Sequence, residues 1–441
     1  DLLGRVFVLE GPVDALPEEG LYDALATWTI DGVIAENTNG VIIAGGGDIN
    51  GDGIDDLLIG DPLHRRVGLF YGGQERSGSL TTADADAVFI PETGGFWTTG
   101  LSLAIVGDVN GDGADEFVLG QPTYAGGRGR ALVFQGGDYE GFVDVETAQT
   151  TLEGESAPEA FGGRIFPAGD MNGDGLKDFA ILAPGSGQAL EEIALEHGGV
   201  SVGGPIDELG TSYITLVYGD RNFGNVAGLR QADSRIDPYD GLSFLALSGA
   251  SGDFDGDGYG DLALGFPVPG SWYAHARVLY GSPDLTPARS SIADWEQTLV
   301  IAPLNDIAFG RSVALGDVDG DGQDDLAIAS RFRFDVSDEH NGLEFCNDNL
   351  YLPGSTEGEE SCYESDIGLR FSSGNISIFH GGERPDILSP SQSGHGESGS
   401  EEYFYVLVDV YAVTGGWRIA LGDPITTGLY HNVEGAHFFR S

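Results

Sequence analysis

Asp48-Ile-Asn-Gly-Asp-Gly-Ile-Asp-Asp56, followed at once by Leu57-Leu-Ile-Gly60, is the stretch on which the reading of this chain turns. The same nonapeptide returns at Asp108–Glu116, Asp170–Asp178, Asp253–Asp261 and Asp317–Asp325, with starts 60, 62, 83 and 64 residues apart. Each copy runs directly into an apolar stretch: Phe117-Val-Leu-Gly, Phe179-Ala-Ile-Leu, Leu262-Ala-Leu-Gly and Leu326-Ala-Ile-Ala after the later four. Another short apolar run precedes the loop, as in Leu103-Ala-Ile-Val-Gly, and a third follows, as in Val67-Gly-Leu-Phe-Tyr and Arg130-Ala-Leu-Val-Phe. One unit is therefore four short strands in about 62 residues, with tight glycine turns and no helical period.

A four-stranded sheet cannot bury both its faces alone, whereas sheets packed radially around an axis can. The expected fold is all-β, a β-propeller of four-stranded blades spanning residues 1–441 as a single domain. The two long intervals hold inserts, at about 185–211 and 335–369. Without them about six periods of 62 residues remain, so six blades are expected, with seven as the alternative. Gly4–Gly11 reads as a third strand and Thr27–Ile30 as a fourth. Gly415–Asp423 matches the first-strand segment Phe309–Asp317, and Glu434–Phe439 supplies a second. The two ends are thus expected to share one blade and close the ring.

Within each loop, oxygens at positions 1, 3 and 5 can converge on one point if the backbone turns tightly at the glycine of position 6. The carbonyl of position 7 and the carboxylate of position 9 complete six or seven hard oxygens, a set that suits Ca²⁺ and, lacking His and Cys, not Zn²⁺. The expected ligands are Asp48, Asn50, Asp52, Ile54 and Asp56; Asp108, Asn110, Asp112, Ala114 and Glu116; Asp170, Asn172, Asp174, Leu176 and Asp178; Asp253, Asp255, Asp257, Tyr259 and Asp261; and Asp317, Asp319, Asp321, Gln323 and Asp325. An EF-hand would need Glu at position 12, where Ile59, Leu119, Ile181, Leu264 and Ile328 stand. One acidic loop reads equally well as a solvated turn; five in register with a strand period favour about five calcium ions, structural rather than catalytic.

Composition narrows the partners. The chain has 441 residues, 72 of them Gly, and 71 acids against 20 bases, for a net charge of −51. Nucleic acid and anionic membranes are repelled by such a surface, and no apolar run approaches the ~20 residues of a membrane span. The start at Asp1 reads as a processed or trimmed product. The eight His show no i, i+4 metal pair, and the single Lys177 sits inside an acidic loop, so no enzyme is expected.

The loop with its Gly60-Asp-Pro62 ending, preceded elsewhere by Phe161-Gly162 or Phe309-Gly310, resembles the FG-GAP repeat of integrin α-subunit propellers and of related bacterial and fungal proteins, some of them lectins. The resemblance covers essentially the whole chain, although Phe-Gly survives in only two units and integrin propellers have seven blades with fewer calcium loops. It implies an extracellular, secreted or cell-surface module for adhesion or ligand binding. A carbohydrate-binding lectin and a structural spacer of a larger surface protein are the alternatives.

A protein or glycan ligand is expected on the rim opposite the acidic loops, where both inserts rise. Cys346 and Cys362, the only cysteines, lie in the second insert and read as a disulfide of an oxidising compartment. Trp272 and Tyr273 are candidate ligand contacts, with inter-blade packing as their other reading.

Overall fold

The computed structural model describes residues 5–8, 26–31, 42–62, 64–91, 99–185, 212–221, 234–237, 248–266, 275–285, 288–291, 298–302, 306–307, 310, 312–318, 320–337, 368–379, 381, 406–407, 411–413, 416–421 and 437–439. The chain divides into two compact units. The first holds Asp1–Phe244 and Gly281–Glu296, the second Leu245–Tyr280 and Gln297–Ser441.

The first unit opens with β1 (Arg5–Val8) and β2 (Trp28–Asp31), paired antiparallel. Next come β3 (Ile42–Gly47), β4 (Asp56–Asp61), β5 (Arg66–Phe70), β6 (Gly78–Thr81) and β7 (Ala87–Ile90). The second copy of the pattern is β8 (Ser102–Gly107), β9 (Glu116–Gln121), β10 (Arg130–Phe134), β11 (Gly141–Asp144) and β12 (Thr150–Glu153). The third is β13 (Arg164–Gly169), β14 (Asp178–Ala183), β15 (Tyr213–Val217) and β16 (Ser234–Asp237). The fourth comprises β17 (Ser248–Gly252), β18 (Asp261–Phe266) and β19 (His275–Leu279), then β20 (Ala288–Ser291), which belongs to the first unit, and β21 (Thr298–Ala302). The second unit continues with β22 (Asp306–Ile307), β23 (Ser312–Gly316), β24 (Asp325–Ser337), β25 (Gly368–Phe379), β26 (Val406–Leu407), β27 (Tyr411–Val413), β28 (Gly416–Leu421) and β29 (His437–Phe439).

The described residues are nearly all β, in sheets whose first four strands run antiparallel in sequence order, such as β3-β4-β5-β7 and β8-β9-β10-β12. This is the propeller-like arrangement expected from the repeat. First strands of successive sheets lie side by side: β8 packs against both β3 and β13 in the first unit, and β17 against β23 in the second. The terminal strands form the sheets β1-β2-β6 and β27-β28-β29, so the shared closing blade is not among the observed pairings.

Two features add to the expected four-strand unit. A fifth, short strand from the following repeat joins the outer edge of a sheet in parallel: β6 on β2, β11 on β7, β20 on β16 and β26 on β21. These segments are two to four residues long and include polar stretches such as Gly78-Ser-Leu-Thr81 and Ala288-Arg-Ser-Ser291, too short to show a period. Second, β24 and β25 pair from Leu326↔Phe379 out to Ser337↔Gly368, so the strands continue past the expected insert boundaries at 335 and 369. Beyond Gly185, the first insert and the remainder of the second lie outside the described residues.

The apolar runs are continuous because both faces of each inner strand are covered. Along β9, Phe117 and Leu119 join a core with Leu58, Leu69 and Phe89 of the preceding sheet. Val118 joins another with Phe179, Ile181 and Tyr213 of the next. Phe117 and Phe134 stack at 5.0 Å, and Phe89 meets them edge-on at 5.1 and 5.0 Å. Each such buried side chain contributes about 1.5–3 kcal/mol. In the second unit Phe254, Ala263 and Val278 pack on Val313, Leu326 and Ile328.

The glycine in strand two has a packing role. A Cβ on Gly60, Gly120 or Gly265 would run into the carbonyl oxygen of Gly100, Gly162 or Gly310 respectively. Those partners are the glycines just before the next first strand, so this glycine pair lets two neighbouring sheets approach closely. Thr99-Gly100 keeps the contact where the Phe is lost.

Candidate metal centres

Every acidic loop joins strand one to strand two of its sheet, and its ninth residue is the first residue of strand two. The third loop shows the common geometry. Asp170 Oδ1 accepts from the N–H groups of Gly173 and Asp174 at 2.7 and 3.1 Å, and its Oδ2 accepts from Gly175 at 2.9 Å. Asn172 Oδ1 accepts from Asp174 N–H at 3.0 Å, and Asp174 Oδ1 from Leu176 N–H at 2.9 Å. Positions 1, 3 and 5 are thereby drawn around one turn. Glycines at positions 4 and 6 sit at φ 74° and 88°, where other residues are strained.

The same position-1 and position-5 bonds recur in the other loops: Gly53 to Asp48 and Ile54 to Asp52, Gly113 to Asp108 and Ala114 to Asp112, Gly258 to Asp253 and Tyr259 to Asp257, and Gly322 to Asp317 and Gln323 to Asp321. Position 7 thus donates its N–H to position 5, and its carbonyl is the expected ligand. Of the predicted ligands only Asp319 lies outside the described residues, together with Trp272, Tyr273, Cys346 and Cys362; the described residues contain no disulfide.

Position 9 does more than the spacing suggested. Asp56, Glu116, Asp178, Asp261 and Asp325 are all buried. In four loops both carboxylate oxygens accept backbone N–H groups, one from position 2 of the loop and one from the glycine that follows strand three. Asp178 takes Met171 and Gly219, each at 2.8 Å. Asp56 takes Ile49 and Gly72, Glu116 takes Val109 and Gly136, and Asp325 takes Val318 and Gly381. The glycine that ends each third strand carried this signal in the sequence.

Burial pushes Glu116 and Asp178 up to about 7, against the pull of their backbone donors, and the neighbouring loop acids add to the rise. Asp56 is raised for the same reasons. At Asp112 burial also raises the carboxyl, but donation from Gln135 at 2.6 Å, from Ala114 N–H and from Asn110 outweighs it and holds the group below its ordinary value.

These residues fit a hard divalent cation. The loop donors are oxygens only. In the fourth loop, carboxylate oxygens of Asp253, Asp255 and Asp261 all lie within 4.8 Å of one another. Asp253 Oδ1 is buried there with no hydrogen-bond partner, an acceptor left over in an already anionic cluster.

A family model for the FG-GAP repeat matches residues 246–275 and 309–342. The chain carries FG-GAP repeats. Integrin alpha-PS2 of Drosophila melanogaster is 33% identical over 166 residues, which is 32% of this chain and 11% of that protein. Integrin alpha-8 of Gallus gallus is 29% identical over 158 residues, 32% of this chain and 14% of its own length. Integrin alpha-IIb of Mus musculus is 31% identical over 172 residues, 38% and 14% of the two chains. The chain thus spans only a small part of the length of each of these integrin α-subunits. Among solved structures, the V. cholerae biofilm matrix protein Bap1 aligns over 58% of this chain and 31% of its own, at 17% identity and a TM-score of 0.27. Among the described residues no helix is long and apolar enough to cross a membrane.

Proposed function

We propose that this chain is an extracellular, calcium-binding FG-GAP propeller that serves as a ligand-binding module in adhesion, without enzymatic activity. The observation that carries the reading is the fivefold recurrence of an oxygen-lined loop at one place in the repeat, with a buried carboxylate fixed behind it. Bound calcium supplies positive charge and links positions 1, 3, 5, 7 and 9 of a loop. The chain's own groups do the rest. Positions 1 and 5 face the solvent side, while position 9 ties the loop to the end of strand three, so each ion would brace one sheet.

About five ions would move the formal charge from −51 to about −41. The surface stays acidic and favours a protein partner over nucleic acid or anionic lipid. Ligand contact is assigned to the rim opposite the loops, where β24 and β25 continue as a long two-stranded ribbon toward residues 338–367. Two measurements test this. Thermal unfolding should shift upward in millimolar calcium relative to chelator, and cell attachment to immobilised protein should fall when 338–367 is replaced by a short turn. A melting temperature indifferent to calcium would defeat the metal reading. Attachment unaffected by the replacement would defeat the assigned rim.

A further inference from the structure

The eighth position of the acidic loop was not among the expected ligands, yet it reaches into the neighbouring loop. Asp115, position 8 of the second loop, accepts the N–H of Asp48, position 1 of the first, through Oδ2 at 2.8 Å. Its own N–H donates to the carbonyl of Asp48 at 2.8 Å. Asp324 treats Asp253 in the same way: the carboxylate accepts at 2.8 Å and the backbone N–H donates at 3.1 Å. Between the second and third loops the backbone bond persists, from Lys177 to Asp108 at 3.0 Å, but a lysine cannot accept the N–H.

The residue before position 1 leaves space for this arm. A Cβ at Gly47 would collide with the Asp115 carboxylate, at Gly107 with the Lys177 stem, and at Gly252 with the Asp324 carboxylate. Asp55, the same position in the first loop, is exposed.

We infer that Asp115 and Asp324 are coupling residues that make calcium binding cooperative between the first and second loops and between the fourth and fifth. The inference rests on the calcium reading of the loops. Position 8 lies between two expected ligands, the carbonyl of position 7 and the carboxylate of position 9. Fixing those two fixes position 8, which in turn holds both backbone groups of position 1 next door. A neighbour already ordered in this way loses less freedom on taking its own ion, and the effect is reciprocal. The Lys177 junction has only the backbone half of the connection and should couple more weakly.

Hydrogen exchange of peptides spanning 48–56 and 108–116, followed against free calcium, reads each loop separately in the full chain. Disabling the second loop by Asp112→Ala should raise the calcium midpoint of 48–56 by about tenfold. In an Asp115→Ala background the same change should move that midpoint less than about twofold, which closes a double-mutant cycle. Asp115→Asn keeps an acceptor oxygen and should retain the tenfold response, and Asp55→Ala should alter nothing.

At the weaker junction, Asp174→Ala should shift 108–116 only about twofold, rising toward tenfold once Lys177→Asp installs the arm. Circular dichroism confirms that each variant is folded, and Lys177→Asp carries the test if Asp115→Ala is not, a response that stays near twofold overturning the inference. The inference is overturned if 48–56 ignores Asp112→Ala, or if its response survives the loss of Asp115. If neither loop gains protection in calcium, the calcium reading itself fails and the coupling falls with it.

Discussion

Replacing Asp178 by alanine separates the two tasks assigned to position 9, holding the backbone and completing an ion site. The side chain is fully buried, and its two oxygens accept the N–H groups of Met171 and Gly219, each at 2.8 Å. Alanine leaves two buried donors unpaired, at about 1–3 kcal/mol each, so the expected cost is about 2–6 kcal/mol. Asp174→Ala is the comparison. That carboxylate is exposed, and water can replace it as the acceptor for Leu176 N–H, so its loss should cost under about 1 kcal/mol.

Urea unfolding at pH 6 in chelator is the decisive assay. Most of Asp178 is neutral there, below its midpoint of about 7, so recovering the burial cost of a charge does not mask the loss. A neutral carboxyl still accepts through both oxygens. In calcium at one hundred times the dissociation constant, both variants should lose a further ~2.7 kcal/mol, the stabilisation that one site supplies. Equal, mild effects of the two substitutions in chelator would refute the argument that position 9 is a structural tie independent of the ion.

Glu116 and Asp178, raised to about 7 by burial, bind protons more tightly in the folded chain than in the unfolded one. Metal-free stability should therefore be full near pH 4, fall by a few kcal/mol up to about pH 7 and level off above; in calcium, which needs the ionised form, the slope should reverse. Urea midpoints at pH 5 and 8, with and without calcium, check both signs. Gly120→Ala should cost at least 1–3 kcal/mol by forcing apart the approach to Gly162, seen as a lowered unfolding midpoint with unchanged calcium affinity of the intact loops. Phe117→Ala, which empties the centre of the stacked aromatic core, should cost about 3–5 kcal/mol in the same measurement.

Much of this architecture was legible because its causes are local. Strand two could be read from Leu57-Leu-Ile and Phe117-Val-Leu since a strand buried on both faces needs an unbroken apolar run. The loops could be read because oxygen spacing and glycine placement follow from backbone geometry alone. What escaped the reading depends on the neighbouring repeat. The parallel fifth strands are too short and too polar to carry a period. The role of position 8 is obscured because Lys177 and Gly260 interrupt its acidic pattern. The double tie of position 9 joins residues up to 56 positions apart, as between Gly381 and Asp325, and only the folded chain brings them together.

The parallel fifth strand puts the repeating sequence out of phase with the repeating object. β7 is completed at its outer edge by β11, which the chain reaches only after the next acidic loop has been built. A fragment cut at the apparent repeat boundary near Pro91 would expose the full edge of β7, and the nearest complementary strand would be β11 of another molecule. Exchange of that strand between chains would produce swapped dimers. A fragment extended through Asp144 carries its own seal, so the inheritable piece of this protein is longer than the motif that advertises it.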